Sequence, residues 1–290
     1  MRSHPLICSF SYHKCASQWT KRIVRDVARR MGLRYRTVYN TAHFGGNLQK
    51  FVDDNKLDIL GYNGAEMRYV KQLENFRGFH VIRDPRDILV SAYFSDLYSH
   101  GTKKYPAIGK LREELKGLSQ EEGLAREIVF RRPQFERMLE WNYNQPNVLE
   151  LRYEDLIKDP FNQFIHIFKF LGLLRSEPLS SREMLFTSID MLARNTLRVG
   201  SWRLLPPRRT DVPLEALLTA VHRHRFASRT GGRVEGQEDV RAHNRKGVAG
   251  DWKNYFTQAH LDLLNRECPE LYRLGYWERP SVAIPAAVTT

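Results

Sequence analysis

Short continuous apolar runs alternate along the chain with longer stretches in which apolar residues recur every three or four positions. Leu6-Ile7-Cys8-Ser9-Phe10 has the length of a buried strand; a polar loop follows, then Trp19, Ile23, Val27 and Met31 at helical spacing. Asp58-Ile59-Leu60-Gly61, His80-Val81-Ile82-Arg83 and Val148-Leu149-Glu150-Leu151-Arg152 read as further short strands, each followed by a loop or a helical segment. Strands alternating with helices in this way predict an α/β fold, a central parallel sheet flanked by helices. Lys110 to Leu118 and Arg126 to Trp141 read as charged helices. Phe161 to Leu171 carries Phe164, Ile167, Phe168 and Leu171 at helical spacing, with Gly172 placed to cap it. Between Leu192 and Gly236 the pattern is broken at Pro206-Pro207 and Gly231-Gly232, which reads as an irregular insertion or lid within a single domain covering residues 1–278. Residues 279–290 lack apolar periodicity and read as a loose tail.

A chain of 290 residues with 42% hydrophobic content is long enough for one large core. Its 46 Lys and Arg against 33 Asp and Glu leave a formal charge of +13, which favours anionic partners without separating nucleic acid from a nucleotide. Three cysteines, Cys8, Cys15 and Cys268, are sparse, odd in number and without metal-ligand spacing, as expected for a reducing compartment. The apolar run that begins at Leu6 is too brief for a signal peptide, and no apolar stretch reaches the ~20 residues that span a bilayer. These readings place the protein in the cytoplasm, with no integral membrane segment.

Three segments carry candidate chemistry. In Tyr12-His13-Lys14-Cys15-Ala16-Ser17-Gln18-Trp19, the strand–loop–helix order presents backbone N–H groups and a positive helix end to an anion, beside the Lys14 charge. In Arg83-Asp84-Pro85-Arg86-Asp87-Ile88-Leu89-Val90-Ser91, a guanidinium at a strand end and a hydroxyl one to two turns into the next helix can converge on one phosphate. Pro85 suits a helix start, where its missing N–H costs nothing. The third, Arg245-Lys246-Gly247-Val248-Ala249-Gly250-Asp251-Trp252-Lys253-Asn254, sets two adjacent cations and two glycines beside an aromatic wall.

In this order and spacing the three segments resemble the cytosolic-type sulfotransferases, which use 3′-phosphoadenosine 5′-phosphosulfate (PAPS) as sulfuryl donor and release 3′-phosphoadenosine 5′-phosphate (PAP). The resemblance runs from about Pro5 to about Tyr276. It implies a P-loop-like sulfotransferase fold, no metal, and transfer to a hydroxyl or amine of a small-molecule acceptor. By motif position, Lys14, Cys15, Ala16, Ser17 and Gln18 would hold the 5′ end of the cofactor, with Lys14 stabilising the leaving oxygen and Ser91 restraining Lys14. Arg83, Ser91, Arg245, Lys246 and Gly247 would hold the 3′-phosphate. Trp19, Tyr153, Thr187 and Ser188 would contact the adenine.

The chain also departs from the pattern. The family loop reads Pro-Lys-Ser-Gly-Thr-Thr-Trp; Lys14 and Trp19 match it and Ser17 is conservative, whereas His13, Cys15, Ala16 and Gln18 differ. Alanine at position 16 disfavours a positive φ there. The family's general-base histidine, in a Lys-Thr-His context, is absent. Tyr62 or Asn63 falls at its place, and His43, Glu66 and His100 are the nearby titratable candidates. A P-loop kinase or ATPase would need Gly-x-x-x-x-Gly-Lys-Ser/Thr, which the chain lacks. A nucleic-acid-binding protein would draw on the charge and on Arg29-Arg30 and Arg131-Arg132, but no recognised motif accompanies them. A sulfotransferase-fold protein that binds the nucleotide without transfer is the remaining alternative. The family's C-terminal dimerisation motif is not recognisable after Phe256, which leaves the oligomeric state open.

Overall fold

A computed structural model describes residues 4–102, 105–175, 181, 185 and 211–278. Its sheet has five parallel strands, β1 (Leu6–Ser11), β2 (Tyr35–Val38), β3 (Ile59–Asn63), β4 (Phe76–Ile82) and β5 (Val148–Arg152), in the order β2-β3-β1-β4-β5. The helices around and after them include α1 (Ser17–Met31), α2 (Leu48–Asp54), α3 (Met67–Val70), α4 (Pro85–Phe94), α5 (Pro106–Lys116), α6 (Gln120–Glu140), α7 (Tyr153–Lys158) and α8 (Pro160–Phe170). The four expected strands are present. β2 is an addition: as an edge strand with one neighbour it leaves Arg36 exposed and only Val38 fully buried, so its short Tyr-Arg-Thr-Val run carries no strong apolar signal.

The order of the strands fixes where a ligand can sit. From central β1 the chain moves outward to β2 and back to β3 on one side, then crosses to β4 and β5 on the other. The connections leaving β1 and β4 therefore diverge, and the crevice outside their carboxyl ends is the position at which open α/β sheets bind ligands.

Contacts divide the chain into two units. The first, residues 1–83, 142–239 and 244–249, contains the whole sheet. Ile7, Ile59, Phe79 and Val81 from the strands pack with Ile23 and Val27 of α1 and with Phe164, Ile167 and Phe168 of α8. α1 ends at Gly32, whose φ of 67° lets its N–H reach the carbonyls of Ala28 and Arg29.

The stretch expected to be irregular is not so throughout. Residues 192–210 lie outside the described residues, but Leu214–His224 is a helix whose Leu217, Ala220 and Val221 are fully buried in the sheet's core. Their i, i+3, i+4 spacing is the helical signal, masked in the sequence by the flanking proline and glycine pairs. The expected tail, 279–290, is also outside the described residues.

The second unit comprises residues 84–141, 240–243 and 250–290. Pro85 occupies the first turn of α4, and Asp84 caps it by accepting from the Arg86 N–H at 2.9 Å. Val90, Tyr93 and Phe94 of α4 pack against Leu111 and Leu115 of α5 and Leu124 of α6. Under this cluster Arg131 donates to both Glu127 and Asp96, two carboxylates that are fully buried. His100 lies 2.8 Å from Asp96. Burial pushes the Glu127 carboxyl up to about 7; Arg131 opposes the rise and Asp96 adds to it.

Folded Glu127 thus binds a proton more readily than unfolded Glu127, whose ordinary value is 4.5. Its contribution to stability is full below pH 4.5, declines as the pH rises to about 7 and is flat above. Thermal unfolding across that window should show this slope in the parent and lose it in Glu127→Gln. Parallel curves would assign the slope to other groups.

Candidate functional site

The site is built on the loop that leaves β1. Tyr12–Ala16 folds with two left-handed residues, Lys14 at φ 65° and Ala16 at φ 56°. Alanine at position 16 therefore does not prevent the left-handed backbone. The chain accepts a strain of roughly 1–2 kcal/mol that a glycine would avoid. The Ala16 carbonyl then accepts from the N–H groups of Trp19 and Thr20 at 2.9 and 3.0 Å, starting α1. No side chain caps α1 and no acidic residue lies in its first turn, so its positive end is not neutralised from within the helix.

Arg83, the first residue beyond β4, draws the rest together. It is 7% exposed, and its guanidinium donates to the carbonyls of Lys14 at 3.2 Å and Val248 at 3.3 Å. It also lies over the Tyr153 ring at 4.2 Å, a cation–π contact. The first-unit residues Lys14, Arg83, Tyr153 and the 245–248 segment, far apart in sequence, are thereby joined at the crevice. Glu238 pairs with Arg245 and lies 3.9 Å from Lys246. Gly247 has φ +74°, and a Cβ there would come within 2.7 Å of the Phe226 ring, so the position is closed to a side chain.

The other expected site residues divide. Ser17 is buried and Gln18 half-buried in the first turn of α1. Cys15 is fully buried; burial pushes its thiol up to about 12, so it stays protonated and fills space within the loop. Trp19 meets Phe164 edge-on at 5.7 Å and packs on the core, which commits part of its indole to structure. Ser91 lies two turns into α4, in the second unit. Thr187 and Ser188 lie outside the described residues. The candidate bases have local partners: His43 is 2.9 Å from Asn40 Oδ1, Glu66 pairs with Arg68 at 2.6 Å, and His100 pairs with Asp96.

Residues 65–191 match the family model described as the sulfotransferase domain. That stretch of the chain is similar to a sulfotransferase domain. The matched stretch includes Arg83, Ser91 and Tyr153, whereas the 12–19 loop and the 245–254 turn fall outside it. Among curated proteins, a 3-alpha-hydroxysteroid sulfotransferase of Cavia porcellus is 26% identical over 189 residues, covering 64% of this chain and 53% of that protein. Sulfotransferase 2B1 of Mus musculus is 29% identical over 190 residues, covering 64% and 45%. The chain thus spans about half the length of the curated relatives it matches. A crystal structure of a mouse sulfotransferase complexed with PAP is 16% identical, with a TM-score of 0.53 over 94% of this chain and 85% of that one; the likeness is one of fold.

The structural roles of two further places cannot be read from the motifs. Tyr62, at one expected place of the histidine, is a core residue packed edge-on against Phe44 at 5.7 Å. Asn63, at the other, accepts a hydrogen bond from Ser11 Oγ at 2.8 Å where β1 and β3 end side by side. The only sequence signal for that pair is a polar residue closing each of two apolar strands. The second is Asp87, 1% exposed, which accepts the N–H groups of Gly250 at 2.6 Å and Trp252 at 2.9 Å. Neighbouring Arg86 lies between the rings of Trp252 and Trp277, at 3.9 and 4.7 Å, and pairs with Asp84. Two motifs of the sequence are therefore coupled by a buried carboxylate that has no need to touch a ligand.

Proposed function

We propose that the chain is a sulfotransferase that moves the sulfuryl group of PAPS to a hydroxyl or amine of a small-molecule acceptor and releases PAP. The observation that carries this reading is the convergence at Arg83, a buried guanidinium joining the Lys14 loop, Tyr153 and the 245–248 segment at the crevice of the sheet. The residues present suit a ligand with two separated anionic groups. The uncapped positive end of α1 and Lys14 serve one group. Arg83, Arg245, Lys246 and the backbone at Gly247 serve the other, the 3′-phosphate. Ser91 is assigned to the site by its motif position alone. Both the 83–91 and 245–254 motifs run from one unit into the other along the chain, and we take residues 1–278 as one sulfotransferase domain on that ground.

When bound, PAPS supplies an electrophilic sulfur whose bond to the phosphate oxygen breaks as the acceptor oxygen attacks. Lys14 offers a cation where negative charge grows, which stabilises the transition state more than the ground state. Cys15, held protonated, takes no part in nucleophilic chemistry. His43, Glu66 and His100 are the side chains to test as acceptor of the incoming group's proton. Among the described residues no helix is long and apolar enough to cross a membrane, and Cys8, Cys15 and Cys268 are buried thiols, in keeping with a cytoplasmic enzyme. A small-molecule acceptor, not nucleic acid, is the partner this reading assigns.

Calorimetry with PAP in EDTA tests the reading. The parent should bind without divalent metal. Arg83→Ala and Lys246→Ala should each lose a charge-assisted hydrogen bond of ~1.5–3 kcal/mol, a fall in PAP affinity of roughly tenfold to a hundredfold. Adenosine 5′-phosphate should be affected much less. Equal losses for the two nucleotides would show that these residues do not read the 3′-phosphate. The absence of a histidine at Tyr62 and Asn63 favours the second reading, nucleotide binding without transfer. A parent that binds PAP yet is inert with labelled PAPS on phenols, sterols, sugars and lipid alcohols would establish it.

A further inference from the structure

Beyond the residues assigned to the ligand, Arg233 shapes the 245–247 segment from behind. Its Nη2 donates to the carbonyl of Asn244 at 2.7 Å, and its Nη1 donates to the carbonyls of Arg245 at 2.8 Å and Gln237 at 3.0 Å. The Arg245 carbonyl also accepts from the Asp239 N–H at 3.0 Å, and the Lys246 carbonyl from the Gly236 N–H at 2.8 Å. Three successive carbonyls, of residues 244, 245 and 246, are therefore drawn toward the 233–239 segment. The described chain has no cis peptide. In a trans peptide the carbonyl and the following N–H point in opposite directions. Holding those carbonyls turns the N–H groups of Arg245, Lys246 and Gly247 the other way as a consecutive set. Successive N–H groups next to a left-handed residue form an anion-binding concavity, and Gly247 at φ +74° supplies that residue.

The support has a second layer. The Arg233 guanidinium lies 5.3 Å from the centre of the Phe226 ring, the same ring that a Cβ on Gly247 would strike. Arg233, Phe226 and Gly247 thus fix both the direction and the height of the segment.

We propose that Arg233 is the positioning residue for 3′-phosphate recognition, acting through the backbone of residues 245–247 and not by contact with the nucleotide. This rests on the assignment of that segment to the 3′-phosphate. A guanidinium suits the task because its rigid fork reaches several carbonyls at once, which a lysine ammonium on a flexible stem does not reproduce.

The test compares PAP with adenosine 5′-phosphate by calorimetry on the parent, Arg233→Ala and Arg233→Lys, with thermal unfolding as a check on folding. Both variants should lose PAP affinity by roughly tenfold, the scale on which outer-shell partners act. Adenosine 5′-phosphate should bind each variant about as well as it binds the parent. Guanidinium ion at sub-denaturing concentration should restore PAP binding to Arg233→Ala and leave the parent unchanged, a rescue that a general loss of packing would not show. If the alanine variant does not fold, Arg233→Lys carries the comparison, since its charge is conserved and only the fork is lost. Unchanged PAP affinity in both variants, or equal losses for the two nucleotides, would overturn the role of Arg233 while leaving the site assignment intact. A parent that does not distinguish PAP from adenosine 5′-phosphate would overturn the site assignment and this role with it.

Discussion

Lys14→Ala is expected to cut sulfuryl transfer by a factor on the order of a hundred or more, the scale of losing one preorganised donor at a developing charge. Affinity for PAP should fall far less. The uncapped start of α1 persists in the variant, and so do Arg83, Arg245 and Lys246, which the proposed function assigns to the other anionic group. The backbone of the loop is also expected to survive the change, because Arg83 grips residue 14 by its carbonyl and not by its side chain. A split between turnover and binding is therefore the signature of the mechanism. It would be read as kcat from labelled PAPS beside the calorimetric Kd for PAP. A variant as active as the parent would remove Lys14 from the chemistry. A variant with turnover and affinity reduced in equal measure would make it a binding residue only.

Asp87→Ala is expected to act on stability. The buried carboxylate satisfies two backbone donors, those of Gly250 and Trp252. Removing it strands both at a cost of about 1–3 kcal/mol each, so a loss of roughly 2–6 kcal/mol in denaturant unfolding follows. Asp87→Asn keeps one acceptor oxygen and should fall between the two. A loss under about 0.5 kcal/mol, the range of ordinary surface substitutions, would show that the turn is held by the stacking of Arg86 on Trp252 and Trp277 instead.

The central strands were legible because they are buried on both faces and so read as continuous apolar runs, as in β1. β2 was not legible, since an edge strand with exposed positions has no such run. The Leu214–His224 helix was hidden by its neighbourhood, where proline and glycine pairs outweigh three well-spaced apolar residues. In the site, Arg83 and Lys14 stand out by motif. What Asp87 and Arg233 do could not be read in the same way, because their partners are backbone groups, which every residue possesses and no sequence pattern marks. Ala16 shows the converse: its side chain argued against a left-handed turn, and the tertiary structure around the loop imposes one regardless.

The bonds made by Arg83 reach 69 positions back along the chain, to Lys14, and 165 positions forward, to Val248. Such long-range closure must bear a large loop entropy before it gains anything. On the ribosome, the Lys14 loop and the arginine emerge well before their remaining partner, residue 248. A nascent chain stalled before residue 248 lacks the second carbonyl and cannot complete the junction. Closure of the junction is thus a late step relative to the synthesis of Lys14 and Arg83, and it reports that the chain has been made and folded as far as residue 248.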